Sequence, residues 1–130
     1  MNPGIEQLTV NIRAWARARG IDKADPSRQF LKVAEEFGEI AAALARGKDE
    51  ELKDAIGDTF VTLVILAAQC GTSIEECAYL AYEEIKGRKG KMVDGVFIKE
   101  QEKCTCKRAE FTRTVTEDYE PMCGRCGKPI

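Results

Sequence analysis

The chain has 130 residues, enough for one hydrophobic core and a small appendage but not for a second full domain. With 44% hydrophobic and 32% charged residues it has the balance of a soluble globular protein, which sets aside wholesale disorder. A net charge of −2 excludes the strongly basic field that binds nucleic acid or anionic lipid through charge alone.

The start, MNPGIEQLTV, has no basic stretch running into an apolar one. The longest near-apolar run, Phe60 to Ala68, falls far short of the ~20 residues a bilayer span needs. The expectation is a cytoplasmic protein with no membrane partner. Gly20, Gly47, Gly71 and Gly87 follow helix-periodic stretches at the places where a left-handed cap is wanted, so four helices are predicted before residue 88. The first runs from about Ile5 to Arg19. The second enters at Asp25-Pro26, an N-cap followed by proline at the first helical position, and continues to about Arg46. Its expected apolar stripe is Phe30, Val33, Ala34, Phe37, Ile40, Ala41 and Leu44. The third, about Glu50 to Cys70, is charged in its first two turns and apolar on nearly every face from Thr59, which predicts a buried second half. Thr72 or Ser73, with Glu75 or Glu76 as capping-box partner, opens a fourth helix to about Lys86.

Beyond Gly87, the glycine-rich and basic GRKGKMVDGVFIKEQEK predicts an extended arm. The predicted organisation is a helical core over 1–87, a basic arm over 88–103 and a cysteine-rich segment over 104–130. Cys104 and Cys106 form a CxC pair, and Cys123 and Cys126 a CxxC pair with Gly124 and Gly127 beside it. Four thiolates make a closed tetrahedral Zn²⁺ site that stabilises a segment too small for its own core. The threonine-rich span between the pairs suggests a zinc-ribbon-like hairpin. Cys70 and Cys77 are read as small packed side chains.

Histidine is absent, so any chemistry falls to carboxylates, thiolates, lysines or a metal-activated water. Glu35, Glu36 and Glu39 fan over an arc of roughly 100° on the second helix, with Lys32 on the same arc and the whole set off the apolar stripe. On the third helix Asp54 and Asp58 stack at i,i+4, with Glu51 near the same line. Val61 and Ile65 follow Asp58 along its face, which puts Asp58 at the mouth of a buried seam, where an uncompensated carboxylate is costly. Hard oxygen donors from two antiparallel helices are what Mg²⁺ takes.

EEFGE followed by DAIGD and an apolar helix resembles the paired EExxE and ExxD motifs of the MazG-like nucleotide pyrophosphohydrolases, and the resemblance continues through YEEIKGRKGKMVDGVF. It implies an all-α, four-helix fold. It also implies Mg²⁺-dependent cleavage of a (deoxy)nucleoside triphosphate to monophosphate and pyrophosphate. By this resemblance Glu36, Glu39 and Asp58 fall on metal ligands and Glu35 on the additional glutamate. Ala55 stands where ExxD wants glutamate, and Asp54 is expected to substitute. Lys86, Arg88 and Lys89, with Lys91, fall where similar proteins grip the triphosphate, and Glu83 where relatives often carry asparagine. Lys32 is a further candidate for the phosphates, and Trp15 or Phe30 for stacking on the base.

Similar proteins pair their helices across a two-fold axis, and four helices with a long apolar third bury poorly alone. The expected assembly is therefore a homodimer or homotetramer. The competing function is a non-enzymatic helical dimerisation scaffold that presents the zinc ribbon to protein or nucleic acid. Basic residues around the knuckle favour this, and the nearby acids nearly cancel them.

Overall fold

Four α-helices and one antiparallel hairpin follow one another along the chain in a computed structural model that describes residues 1–100 together with Thr105 and Lys128. Helix α1 spans Ile5–Ala18, α2 Pro26–Arg46, α3 Asp49–Gln69 and α4 Ile74–Ile85; a 3-10 turn, Ile21–Lys23, joins α1 to α2. Strands β1, Gly90–Val93, and β2, Val96–Lys99, complete the order. Two compact units divide it, Met1–Glu83 and Glu84–Ile130.

Local chemistry sets the helix ends. The Asp25 side chain accepts from the Ser27 amide at 2.9 Å with Pro26 at the first helical position, so α2 starts there. It stops at Gly47, whose φ of 64° admits the left-handed turn that puts α3 antiparallel after a short connection. Ser73 caps α4 by accepting from the Glu76 amide, while Thr72 donates to the Glu76 carboxylate. Gly20 and Gly71 also have positive φ, whereas Gly87 does not, and α4 ends without the expected left-handed glycine.

Within the first unit, α2 and α3 form the main packed pair. Gln29 Nε2 donates to the Thr62 carbonyl at 3.1 Å and fixes their register. The second half of α3 is the centre, with Thr59, Thr62, Val64, Ile65 and Ala67 buried. The stripe that α2 covers differs from expectation. Val33 and Ala43 are buried, with Gln29, Glu36 and Ile40 half-buried between and around them. Phe30, Phe37 and Leu44, each one residue on from Gln29, Glu36 and Ala43 and so about 100° around the helix, stay exposed. Glu36 therefore lies on the covered face and not off it. Stripes this close in angle are both compatible with the apolar spacing, and contact with α3 selects the one carrying smaller side chains.

Helix α1 buries Thr9 and Ala16. It is tied to the start of α4 by Arg13, whose two guanidinium nitrogens reach Glu75 at 2.8 and 2.9 Å, and by Thr9 Oγ1, which donates to Glu75 at 2.6 Å. Helix α4 buries no residue, and Tyr79, Leu80, Tyr82 and Ile85 are exposed. Val64 is the one large side chain wholly withdrawn from solvent among the described residues.

In the second unit the segment expected to be an extended arm contains a hairpin. Val93 pairs with Val96 across Asp94 and Gly95, both with positive φ, as a two-residue turn requires. Met92 faces Phe97, and a Cβ at Gly90 would collide with the Phe97 ring and the Ile98 carbonyl. The expected zinc-ribbon-like hairpin over 104–130 lies outside the described residues.

Candidate active site

The candidate acids sit on the packed pair. Seven residues separate Gln29 from Glu36, about 10.5 Å of helix. In the antiparallel partner, seven residues back from Thr62 is Ala55, so Glu36 stands level with Ala55 and close to Asp58. Burial is the largest effect on the Glu36 carboxyl and pushes its pKa up; the charge of Asp58 across the seam comes next, then Glu35, while Lys32 acts the other way and Glu39 adds to the rise. Three carboxylates from two helices thus act on the Glu36 carboxyl.

Lys32 is the cation of this patch. Its Nζ donates to Glu35 at 2.7 Å, and that hydrogen bond, followed by the Glu35 charge, raises the lysine pKa. Glu36, Glu39, Asp54 and Asp58 have no salt-bridge partner among the described residues. On α3, Glu51 is engaged by Lys48 at 3.0 Å and Glu50 by Lys53 at 2.9 Å. Ala55 is buried in the seam. A glutamate in its place would face Glu36, so this chain has one carboxylate fewer between the helices than the ExxD spacing supplies. A second string of that form, Glu51-Leu52-Lys53-Asp54, stands one turn earlier in the sequence.

Asp54 and Asp58 also line a recess of about 360 Å³. Leu8 and Ile12 of α1 form one wall, and Lys53, Gly57, Phe60 and Val61 of α3 complete it. The expected mouth of a buried seam at Asp58 is here: Val61 borders the recess and Ile65, a turn further, is buried.

The donor chemistry suits a hard divalent cation, since all four candidate ligands are carboxylates and the negative charge acting on Glu36 outweighs that of Lys32. Among the described residues no three acidic or thiol side chains are gathered tightly enough to cage an ion as they stand. The fit is therefore one of donor type and helix register, and the exposed side chains of Glu39, Asp54 and Asp58 have the rotational freedom to close on a cation.

The other candidates are distributed differently. Trp15 is exposed on α1 with the Arg19 guanidinium 4.4 Å above its ring. Arg88 reaches Glu84 at 3.0 Å, and Lys86, Arg88 and Lys89 belong to the second unit. Cys104, Cys106, Cys123 and Cys126 lie outside the described residues.

The site is framed by a helical core whose antiparallel α2–α3 pair carries Glu36 and Glu39 on one helix and Asp54 and Asp58 on the other. A family model described as MazG nucleotide pyrophosphohydrolase domain matches residues 25–93, more than half of the chain, and the chain belongs to that family. The match takes in α2, α3, α4 and β1 and leaves α1 and β2 outside. The chain is similar to an uncharacterized 18.2 kDa protein in the rep-hol intergenic region of Haemophilus phage HP1 (strain HP1c1), 46% identical over 66 residues. That stretch covers 50% of this chain and 40% of the phage protein, so the alignment spans less than half of the relative. No solved structure gives a significant match.

Proposed function

We propose that the chain is a Mg²⁺-dependent hydrolase that converts (deoxy)nucleoside triphosphates to the monophosphate and pyrophosphate in the cytoplasm. Glu36, Glu39, Asp54 and Asp58 would hold the ion. Glu35, oriented by Lys32, would accept the proton of the attacking water. The observation that carries this is the α2–α3 register, which sets half-buried Glu36 on the covered face of α2, level with Ala55 and close to Asp58. Membership of the pyrophosphohydrolase family supports it. Bound Mg²⁺ would supply Lewis-acid charge to the phosphate oxygens and the attacking water. Lys86, Arg88 and Lys89 would neutralise the triphosphate as negative charge develops on it.

The active form is a homodimer or homotetramer. Exposed Phe30, Phe37, Leu44, Tyr79, Leu80 and Tyr82 support this, because a monomer rarely leaves so much apolar surface in water. Cys104, Cys106, Cys123 and Cys126 would bind one structural Zn²⁺ per chain, which thiolates in a reducing compartment can do.

A panel of nucleoside triphosphates with Mg²⁺ and a pyrophosphate assay tests the activity. Release of one pyrophosphate per monophosphate formed, abolished by a chelator, is the expected result; no release from any nucleotide would reject it. Metal analysis giving no zinc, and light scattering giving a monomer, would reject the other two parts.

A further inference from the structure

We propose that the recess between α1 and α3 receives the nucleoside end of the substrate, and that Gly57, by having no side chain, sets the size of base admitted. This rests on the hydrolase proposed above and adds to it the place and limit of base recognition.

Three features converge on the recess. The first is its make-up. Leu8, Ile12, Phe60 and Val61 give apolar walls and Asp54 and Asp58 an acidic rim, in a volume of about 360 Å³, within the range of ~300–1,000 Å³ usual for small-molecule sites. An apolar bed that runs into carboxylates suited to a cation matches a molecule with a flat, weakly polar ring at one end and phosphates at the other. The second is continuity: Asp58 borders the recess and also acts on Glu36 across the α2–α3 seam. A ligand with its phosphates at those acids has its nucleoside within reach of the recess.

The third feature is Gly57 itself. Glycine is the poorest helix former after proline, yet it stands in the middle of α3. Among the described residues, no atom beyond its own turn of helix lies within 4 Å of where its Cβ would be, so packing against them does not demand glycine. A side chain there would project into the recess. On the opposite wall Leu8, Ile12 and Trp15 follow i, i+4, i+7 spacing and occupy one face of α1, so the exposed indole lies a turn beyond Ile12 along the wall.

Trp15 is the single tryptophan of the chain, and its fluorescence reports on this wall without hydrolysis. The test titrates wild type, Gly57→Ala, Gly57→Leu and Ile12→Trp with adenosine and uridine 5′-monophosphates. Fluorescence is read for wild type and the two Gly57 variants, and calorimetry for all four. KM and kcat for the triphosphates, and oligomeric state, are measured alongside. Wild type is expected to show a saturable fluorescence change. Gly57→Leu and Ile12→Trp, which fill the recess from opposite walls, should weaken binding and raise KM by roughly tenfold or more, with kcat less affected and the purine penalised more. Gly57→Ala should raise Tm by ~3–6 °C through helix propensity while still raising KM, which separates occupancy of the recess from damage to the fold.

A wild-type enzyme that hydrolyses triphosphates while the Gly57 variants keep its KM would overturn the recess proposal alone. So would a loss of binding that coincides with dissociation of the oligomer, which would make the recess a contact between copies. Failure of wild type both to hydrolyse and to bind any nucleotide would overturn this proposal and the hydrolase with it.

Discussion

Helices α2 and α4 are both amphipathic, and they are treated differently by the chain that contains them. Helix α2 lays Val33, Glu36, Ile40 and Ala43 against α3 and so brings its acid into the protein's own interior edge. Helix α4 buries nothing among the described residues, although it carries Tyr79, Leu80, Tyr82 and Ile85. The acids that define the candidate site need only the α2–α3 hairpin to meet. The described residues leave the apolar surface of α4 open, and the proposed oligomer would cover it. Site geometry and stability are thus assigned to different elements, and each can be disturbed separately.

The largest effect is expected at the α2–α3 pair. Asp58→Asn should lower kcat by on the order of 10²–10³ with little change in oligomeric state, because it removes charge at the reacting phosphates and touches no apolar contact. Pyrophosphate release and light scattering on the same sample check both halves. Leu80→Glu on α4 should do the reverse at first. It should shift the protein to a smaller species by light scattering and lower Tm in a concentration-dependent way, while the α2–α3 acids remain intact. If Asp58→Asn dissociated the protein, the division of labour between the two helices would fail.

Ala55→Glu probes the α2 side of this contrast. It places a second carboxylate in the seam level with Glu36, and without metal it should destabilise by ~2–3 kcal/mol in chemical denaturation. Mg²⁺ should recover much of that, since the new group is a donor for the same ion. The smallest effect is at the tie between α1 and α4. Hydrogen bonds from Arg13 and then Thr9 hold the Glu75 pKa down to about 2. The folded value lies below the unfolded one, so its stabilisation is present above the usual carboxylate range and is lost as pH falls from about 4.3 towards 2. Glu75 is more than a third exposed, and solvent screening keeps the effect below ~1 kcal/mol. Glu75→Gln should flatten that part of a pH–stability curve and leave neutral activity alone.

Much of this architecture can be read in the sequence, for local reasons. Asp25-Pro26, Gly47 and the Thr72-Ser73 pair act within a few residues of themselves, and they mark helix ends that the structure places within a residue or two of expectation. The spacing of Glu36, Glu39, Asp54 and Asp58 likewise suffices to foresee acids on two facing helices. What depends on tertiary contact is less visible. Val33 and Ile40 are foreseen in the covered stripe of α2, but Phe30, Phe37 and Leu44 look as if they belong to it too, and only packing on α3 shows that Ala43 and Glu36 lie there instead. The recess needs α1 beside α3, a pairing to which no residue spacing in either helix points. The hairpin over 90–99 is a different case. Asp94-Gly95 between short apolar runs is a strong local signal for a tight turn, masked by the lysines and glycines around it.

In the proposed hydrolase the acids of α2 and α3 bind one divalent cation between them. Mn²⁺ binding followed by the loss of its free paramagnetic signal tests this directly, on wild type and on Glu36→Gln with Asp58→Asn. Saturable uptake by wild type, displaced by Mg²⁺ and largely lost in the double variant, is the predicted result. Equal uptake by both proteins would contradict it.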